Sequence, residues 1–333
     1  MRIGLAGLGR IGTFHLQTLL ELPVVETIVV TDAMPGPLAR AADEYDAEPV
    51  DTYEGLLEAG VDGVVIATST DTHPAFIAAA VQAGLPAFCE KPVSMPTSDG
   101  IEVQHRAHDS GVEVQIGFPR RFDQGFAAAR AAVSSGELGW LTSVRATTLD
   151  PAPPPPAYVA MSGGIFRDCS IHDFDAIRWV TGSEVDQVYA TGSNRGEPFF
   201  RDVDDVDTAA AVLTLDDGTL ALVSNTRYNA RGYDVRLELH GSRDSIGVGH
   251  DPKLPLRSVE PGAALPVDEP YLFFMDRFRA AFKAELQAFT EVVARTRPSP
   301  CTIADALEAS WIAEACTESL RQRRSVSMEE IRP

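Results

Sequence analysis

Three groups of residues have the types and spacing to do chemistry. The first is Gly7-Leu8-Gly9-Arg10-Ile11-Gly12. It follows the apolar run 2–6 and opens a segment, 10–22, that reads as a helix with Ile11, Phe14, Leu16 and Leu19 apolar. A G-x-G-x-x-G turn between a strand and a helix lets a pyrophosphate approach backbone N–H groups at the helix N-terminus. Asp32 stands 20 residues beyond Gly12, where a carboxylate would accept from the adenosine ribose hydroxyls. Residues 33–35 are Ala-Met-Pro and offer no arginine to a 2′-phosphate; Arg40 is the nearest basic residue beyond them. NAD is therefore expected rather than NADP. An ordinary strand-turn-helix with packing glycines is the alternative. The segment 67–73, Ala-Thr-Ser-Thr-Asp-Thr-His, follows another apolar strand. Thr68, Ser69 and His73 are expected to line the cofactor, and Asp71 or Thr72 before His73-Pro74 also suits a helix N-terminus; the two readings are compatible.

The second group is Glu90-Lys91-Pro92, after the short apolar run 86–89. Glu90 is placed with the cofactor residues. Lys91 would stabilise oxyanion character on a reacting alcohol, against the alternative of a solvated charge. The third group is Asp168 and His172, four apart, followed by Asp173 and Asp175. A carboxylate beside an imidazole fixes its tautomer and makes a general base. Two other readings stay open: a helix N-terminus capped by Asp168 with Asp173 on a solvated face, and a divalent metal held by Asp168, His172 and Asp175. The acidic stretch 202–207 lacks the glycine and terminal glutamate of a calcium loop and reads as a solvated loop.

Those groups need elements to hold them. Residues 1–118 alternate apolar strands (2–6, 25–30, 61–67, 86–89, 112–117) with helical patterns (10–22, 37–45, 74–84, 97–110). Continuous apolar strands separated by helices predict a parallel sheet covered on both faces. Beyond this come a helical stretch at 122–135, a strand at 141–149, the stiff run 151–156 (PAPPPP) and a helix at 170–181. Alternating segments at 208–215, 219–227 and 234–240 follow, with a hairpin turn at Asp216-Asp217-Gly218. Two helical patterns, 274–295 and 303–323, close the chain. The expectation is α/β with two domains, 1–120 binding the dinucleotide and 121–333 carrying an open, mainly antiparallel sheet, the last helices packing back on the first domain.

Composition limits the partners. The formal net charge is −20, a field that repels nucleic acid and anionic membrane surfaces and suits a neutral substrate. No apolar run reaches the roughly 18 residues needed to span a bilayer. Cys89, Cys169, Cys301 and Cys316 have no C-x-x-C spacing, so free thiols in a reducing cytoplasm are expected, without a zinc framework.

The N-terminal fingerprint, Glu90-Lys91-Pro92, the stretch 115–123 (QIGFPRRFD) and the stretch 163–175 (GGIFRDCSIHDFD) together resemble the Gfo/Idh/MocA oxidoreductase family, in particular its inositol dehydrogenases. The resemblance spans nearly the whole chain. It implies a Rossmann domain followed by an α/β domain whose open sheets pair in homo-oligomers, dimers or tetramers. It implies hydride transfer between NAD and a cyclic polyol or sugar. By this resemblance Lys91 contacts the reacting hydroxyl, His172 is the acid/base and Asp168 its partner. Asp175 and Tyr233 contact the polyol, and Arg121 lies near nicotinamide and substrate. The chain departs from the inositol enzymes after strand 141–149. Where they carry His-x-Asn-Pro, it has Thr148-Leu149-Asp150-Pro151, followed by the proline run. This leaves the identity of the polyol open. A dehydrogenase of a modified sugar and a non-catalytic dinucleotide sensor of the same family are the alternatives; retention of Lys91, Asp168 and His172 favours an enzyme.

Overall fold

The structure, a computed structural model, describes all residues except 264, 265 and 267. It divides into two units, Met1–Pro119 with Ala280–Leu307, and Arg120–Arg279 with Glu308–Pro333. The sequence reads as two continuous domains, 1–120 and 121–333, whereas neither unit of the structure is a continuous piece of chain. Residues 280–307 join the first unit, a difference with a packing cause given below.

The first unit is built on six parallel strands, β1 (Arg2–Ala6), β2 (Thr27–Thr31), β3 (Glu48–Pro49), β4 (Gly63–Ile66), β5 (Ala87–Glu90) and β6 (Val114–Gly117), in the order β3-β2-β1-β4-β5-β6. This is the doubly wound order of dinucleotide-binding folds, and the chain reverses direction across the sheet between β1 and β4. Helices α1 (Arg10–Leu20), α2 (Pro35–Tyr45), α3 (Tyr53–Glu58), α4 (His73–Gln82) and α5 (Thr97–Ser110) connect the strands. Every residue of β4 and β6 is buried, as a sheet with helices on both faces requires. The helix Arg279–Val293 contributes Leu286, Phe289 and Val292 to the same core as Leu5, Leu19, Val30 and Phe88. Phe282 meets Phe14 edge-on at 5.2 Å, and Phe289 lies 5.9 Å from Phe88. That apolar face explains why a segment so late in sequence belongs to the first unit.

The second unit carries a seven-stranded sheet: β7 (Leu141–Leu149), β8 (Val185–Ser193), β9 (Thr208–Leu215), β10 (Leu220–Thr226), β11 (Asp234–Gly241), β12 (Ser245–Val248) and β13 (Val326–Ser327). Their order is β12-β11-β7-β10-β9-β8-β13, with β10 parallel to β7 and every other neighbour antiparallel. The Asp216-Asp217-Gly218 turn joins β9 to β10 as the sequence predicts. Helices α6 (Gln124–Ser134), α7 (Pro156–Val159) and α8 (Ile171–Thr181) belong to this unit, and a wide π turn at Phe166–Ser170 leads into α8. Alternation along β8, β9 and β10 buries one face and leaves Tyr189, Val212, Leu220 and Leu222 on the other. Phe289→Ala is expected to cost about 3–5 kcal/mol. Denaturant unfolding of the intact chain, compared with wild type, measures it.

Candidate active site

In the first unit the glycine turn leaves β1 and enters α1. Its glycines do different work. Gly7 has φ +92°, and a Cβ there would meet the Ala67 carbonyl oxygen at 2.6 Å. A Cβ on Gly12 would lie 1.9 Å from the Gly7 carbonyl oxygen. The fold itself needs both. Gly9 would meet nothing within 4 Å, so nothing in the chain demands a glycine there. Gly9 also caps α1 without a side-chain acceptor for the helix's first N–H groups. An open approach over those N–H groups is what a pyrophosphate requires, and Arg10 and Ile11 begin the helix beside it.

Asp32 follows β2. Its Oδ2 accepts from the Leu8 N–H at 2.6 Å and its Oδ1 from the Met34 N–H at 2.8 Å. The carboxylate is thus fixed against the glycine turn with lone pairs left for ribose hydroxyls. After β4, Thr68 and Thr72 share a hydroxyl hydrogen bond of 2.6 Å, and Ser69 is exposed at the carboxyl end of the sheet. These residues fit the dinucleotide.

His73 differs from expectation. It is 1% exposed, donates from Nδ1 to the Pro92 carbonyl at 2.8 Å, and holds Nε2 3.3 Å from the Thr68 carbonyl. Burial pushes its pKa down, against the two carbonyls that raise it. His73 ties the Thr68 loop to the turn after Lys91. Glu90 is likewise engaged, accepting from the buried His15 Nε2 at 2.7 Å. Lys91 follows β5 at the carboxyl end of the sheet, where ligands of such folds bind.

In the second unit, a network in the neighbourhood of Asp168 and His172 is denser than the sequence suggests. Asp173 has no exposed surface. Its Oδ1 accepts from Arg120 Nη1 at 2.5 Å and from the Thr148 hydroxyl at 2.8 Å, and its Oδ2 from Asn225 at 2.7 Å. The reading of Asp173 on a solvated face is therefore overturned, because three donors enclose it. Asp175 is also wholly buried and receives Arg121 through Nε at 3.0 Å and Nη2 at 2.6 Å. The two residues singled out as polyol and nicotinamide contacts thus bind each other, so the geometry gives Asp175 the work of holding Arg121. With Asp175 so occupied, the metal reading loses a ligand, and among the described residues no three His, Cys, Asp or Glu side chains are grouped to hold an ion.

Asp168 sits in the π turn, a feature that recurs at functional sites. It accepts from Tyr158 and Arg227. Tyr233 is 8% exposed, and its hydroxyl has no hydrogen-bond partner among the described residues. Burial pushes its pKa up, with Arg120 opposing and Asp150 adding to the rise. The acidic stretch also departs from a solvated loop. Asp205 accepts from the Ile165 N–H at 2.9 Å, and Asp207 from the N–H groups of Arg195 and Gly196 at 2.7 Å, so both carboxylates cap backbone. Tyr158, Arg227 and Asn225 are not legible as site residues in the sequence; Asn225 and Arg227 are brought in by the pairing of β10 with β7, and Tyr158 stands on α7.

A dinucleotide turn on a doubly wound sheet and a carboxylate–histidine helix on a second, mixed sheet define an oxidoreductase that binds a nicotinamide cofactor. The family comparison agrees: residues 1–118 match the family described as "Oxidoreductase family, NAD-binding Rossmann fold", and residues 126–247 match the "GFO/IDH/MocA C-terminal domain". The chain belongs to the Gfo/Idh/MocA family of NAD-binding oxidoreductases. It is 34% identical to the myo-inositol 2-dehydrogenase of Thermotoga maritima, over 99% of both chains. It is 32% identical to the scyllo-inositol 2-dehydrogenase (NAD(+)) of Bacillus subtilis, over 99% of this chain and 96% of that one. The structure of scyllo-inositol dehydrogenase from Lactobacillus casei with bound NAD(H) and scyllo-inositol superposes with a TM-score of 0.89 at 29% identity, covering 99% of each chain.

The glycines separate fold from binding in a testable way. Gly9→Ala is expected to unfold as wild type does but to weaken NAD binding by about tenfold or more, since its Cβ fills the ligand approach. Gly12→Ala is expected to lose about 1–3 kcal/mol of stability. Fluorescence titration with NAD and thermal melts distinguish the two.

Proposed function

We propose that this protein is an NAD-dependent dehydrogenase that oxidises a secondary alcohol of a cyclic polyol or related sugar. The observation that carries the reading is Asp168, a carboxylate only 11% exposed and held by hydrogen bonds to Oδ1 and Oδ2, in the turn that leads to His172. A sensor that only binds dinucleotide has no use for such an arrangement. His172 takes the hydroxyl proton, and Asp168 steadies the imidazolium that forms. Lys91 stabilises the developing alkoxide. When bound, the nicotinamide supplies the hydride acceptor. Tyr233 holds a substrate hydroxyl, and Arg121 is kept in place by Asp175. The inositol substrates of the relatives support the polyol class. Thr148 and Asp150, where inositol enzymes tend to have histidine and asparagine, leave open which polyol is accepted.

The buried free thiols fit a reducing cytoplasm, and among the described residues no helix is long and apolar enough to cross a membrane. The exposed sheet face supports a homo-oligomer. Tyr189 pairs with Val212 and Val212 with Leu222 in register, giving an apolar row across three strands. Leu222→Arg on that row is expected to lower the mass seen by light scattering.

The protein with NAD or NADP and a panel of myo-inositol, scyllo-inositol and glucose, followed by absorbance of reduced cofactor, tests the activity. NADH formation is expected, and His172→Ala should lower turnover by about 10² or more. NAD binding with silence across a panel widened to modified sugars would favour the sensor. A His172→Ala variant with near wild-type turnover would remove His172 as the base.

A further inference from the structure

The Asp168 carboxylate has a donor on each oxygen. The Tyr158 hydroxyl donates to Oδ1 at 2.8 Å and Arg227 Nη2 to Oδ2 at 2.7 Å. The same guanidinium donates through Nη1 to Asp150 Oδ2 at 2.8 Å. Arg227 is 4% exposed, so one enclosed cation serves two carboxylates. Burial works against its charge, but Asp168, Cys169 and Asp150 raise its pKa above the ordinary value. Tyr158 is 42% exposed and stands on α7, which begins at the last proline of the 151–156 run.

The fold places these residues deliberately. β10 and β7 run parallel with Asn225 opposite Thr148 and Thr226 opposite Leu149. The Asp150 N–H continues the ladder to the Thr226 carbonyl at 2.9 Å, so Arg227 and Asp150 leave the strand ends side by side. One rung back, Asp173 grips both Thr148 and Asn225 and fixes α8 against the same two strands.

We propose that Tyr158 and Arg227 are positioning residues of the dehydrogenase reaction: together they hold the Asp168 carboxylate in the rotation that orients the acid/base, and Asp150 holds Arg227 in turn. The inference rests on the roles given above to Asp168 and His172. Donors on separate oxygens fix the plane of a carboxylate as well as its position, and hydrogen bonds to charged groups are the strong ones. Without Arg227 the Asp150 and Asp168 carboxylates would lose the cation they share, and their mutual repulsion would turn Asp168 out of that rotation. Asp168 would then steady a positive imidazole less well. The proline run gains a purpose in this scheme, since it is the stiff arm that delivers Tyr158.

The test is steady-state kinetics of Tyr158→Phe, Arg227→Lys and Arg227→Met in the full chain, using whichever polyol the wild type oxidises. Loss of a charge-assisted hydrogen bond predicts a kcat lowered about 5–20-fold in Tyr158→Phe and about 100-fold in Arg227→Met. The KM for NAD should stay within about twofold of wild type, and Arg227→Lys should recover about tenfold over Arg227→Met. A merely structural ion pair would lower the melting temperature and leave kcat of the folded protein in place. Should Arg227→Met fail to fold, Tyr158→Phe decides, because it removes one hydroxyl from a half-exposed ring. A Tyr158→Phe kcat within about twofold of wild type overturns the inference while the dehydrogenase reading stands. A wild type that turns over no polyol, or an active His172→Ala, overturns the reading beneath it, and the inference with it.

Discussion

A carboxylate with no exposed surface governs the second unit. Asp173 on α8 receives Arg120, Thr148 and Asn225, and the last two face each other across the β7–β10 ladder. Burying a charge is tolerable only when its lone pairs are met by donors, and here three donors meet them. The interaction therefore fixes one rotation of α8 about its axis and one height along the strands. His172 and Asp175 lie on either side of Asp173 in sequence, so their directions follow from it. Removing any one donor would leave a buried acceptor short, a fault more costly than the bond itself is worth.

The first unit solves its positioning problem with backbone. The doubly wound order brings the carboxyl ends of β1 and β4 to the point where the chain reverses direction across the sheet, and the glycine turn sits there because Gly7 and Gly12 remove atoms that would otherwise collide. Asp32 then ties the Leu8 amide to the end of β2. Each of these constraints is local, and local constraints write themselves into sequence as spacing. That is why the turn, its acidic partner and the alternation of strands and helices are legible in the sequence alone.

What was not readable depends on register between distant strands. Arg227 and Asp150 are 77 residues apart and meet only because Thr226 pairs with Leu149. No periodicity announces that pairing. Asp173 reads as a solvated charge on a helix and Asp175 as a ligand contact until Arg120 and Arg121, in a different segment, come to cover them. His73 shows the same dependence: a histidine before a helix proline reads as available until the Pro92 carbonyl closes over it. The helix Arg279–Val293 was expected as a closing helix, and only its Phe282 and Phe289 contacts show which core it completes.

The aspartates of the second unit fall into two kinds. Asp173 and Asp175 each have an arginine of their own and no exposed surface, so their charge is spent on the fold. Asp150 and Asp168 share Arg227, and the three groups together carry one net negative charge in partly enclosed surroundings. A fold that wanted only stability would match each buried carboxylate or replace it with an apolar side chain, since unmatched buried charge is expensive. Arg227 thereby joins the end of β7 to the turn that leads into α8, whereas Asp173 and Asp175 tie α8 itself to Arg120 and Arg121. One kind of aspartate fixes the helix and the other fixes the turn before it, so the two arginine arrangements divide the positioning of this unit between them.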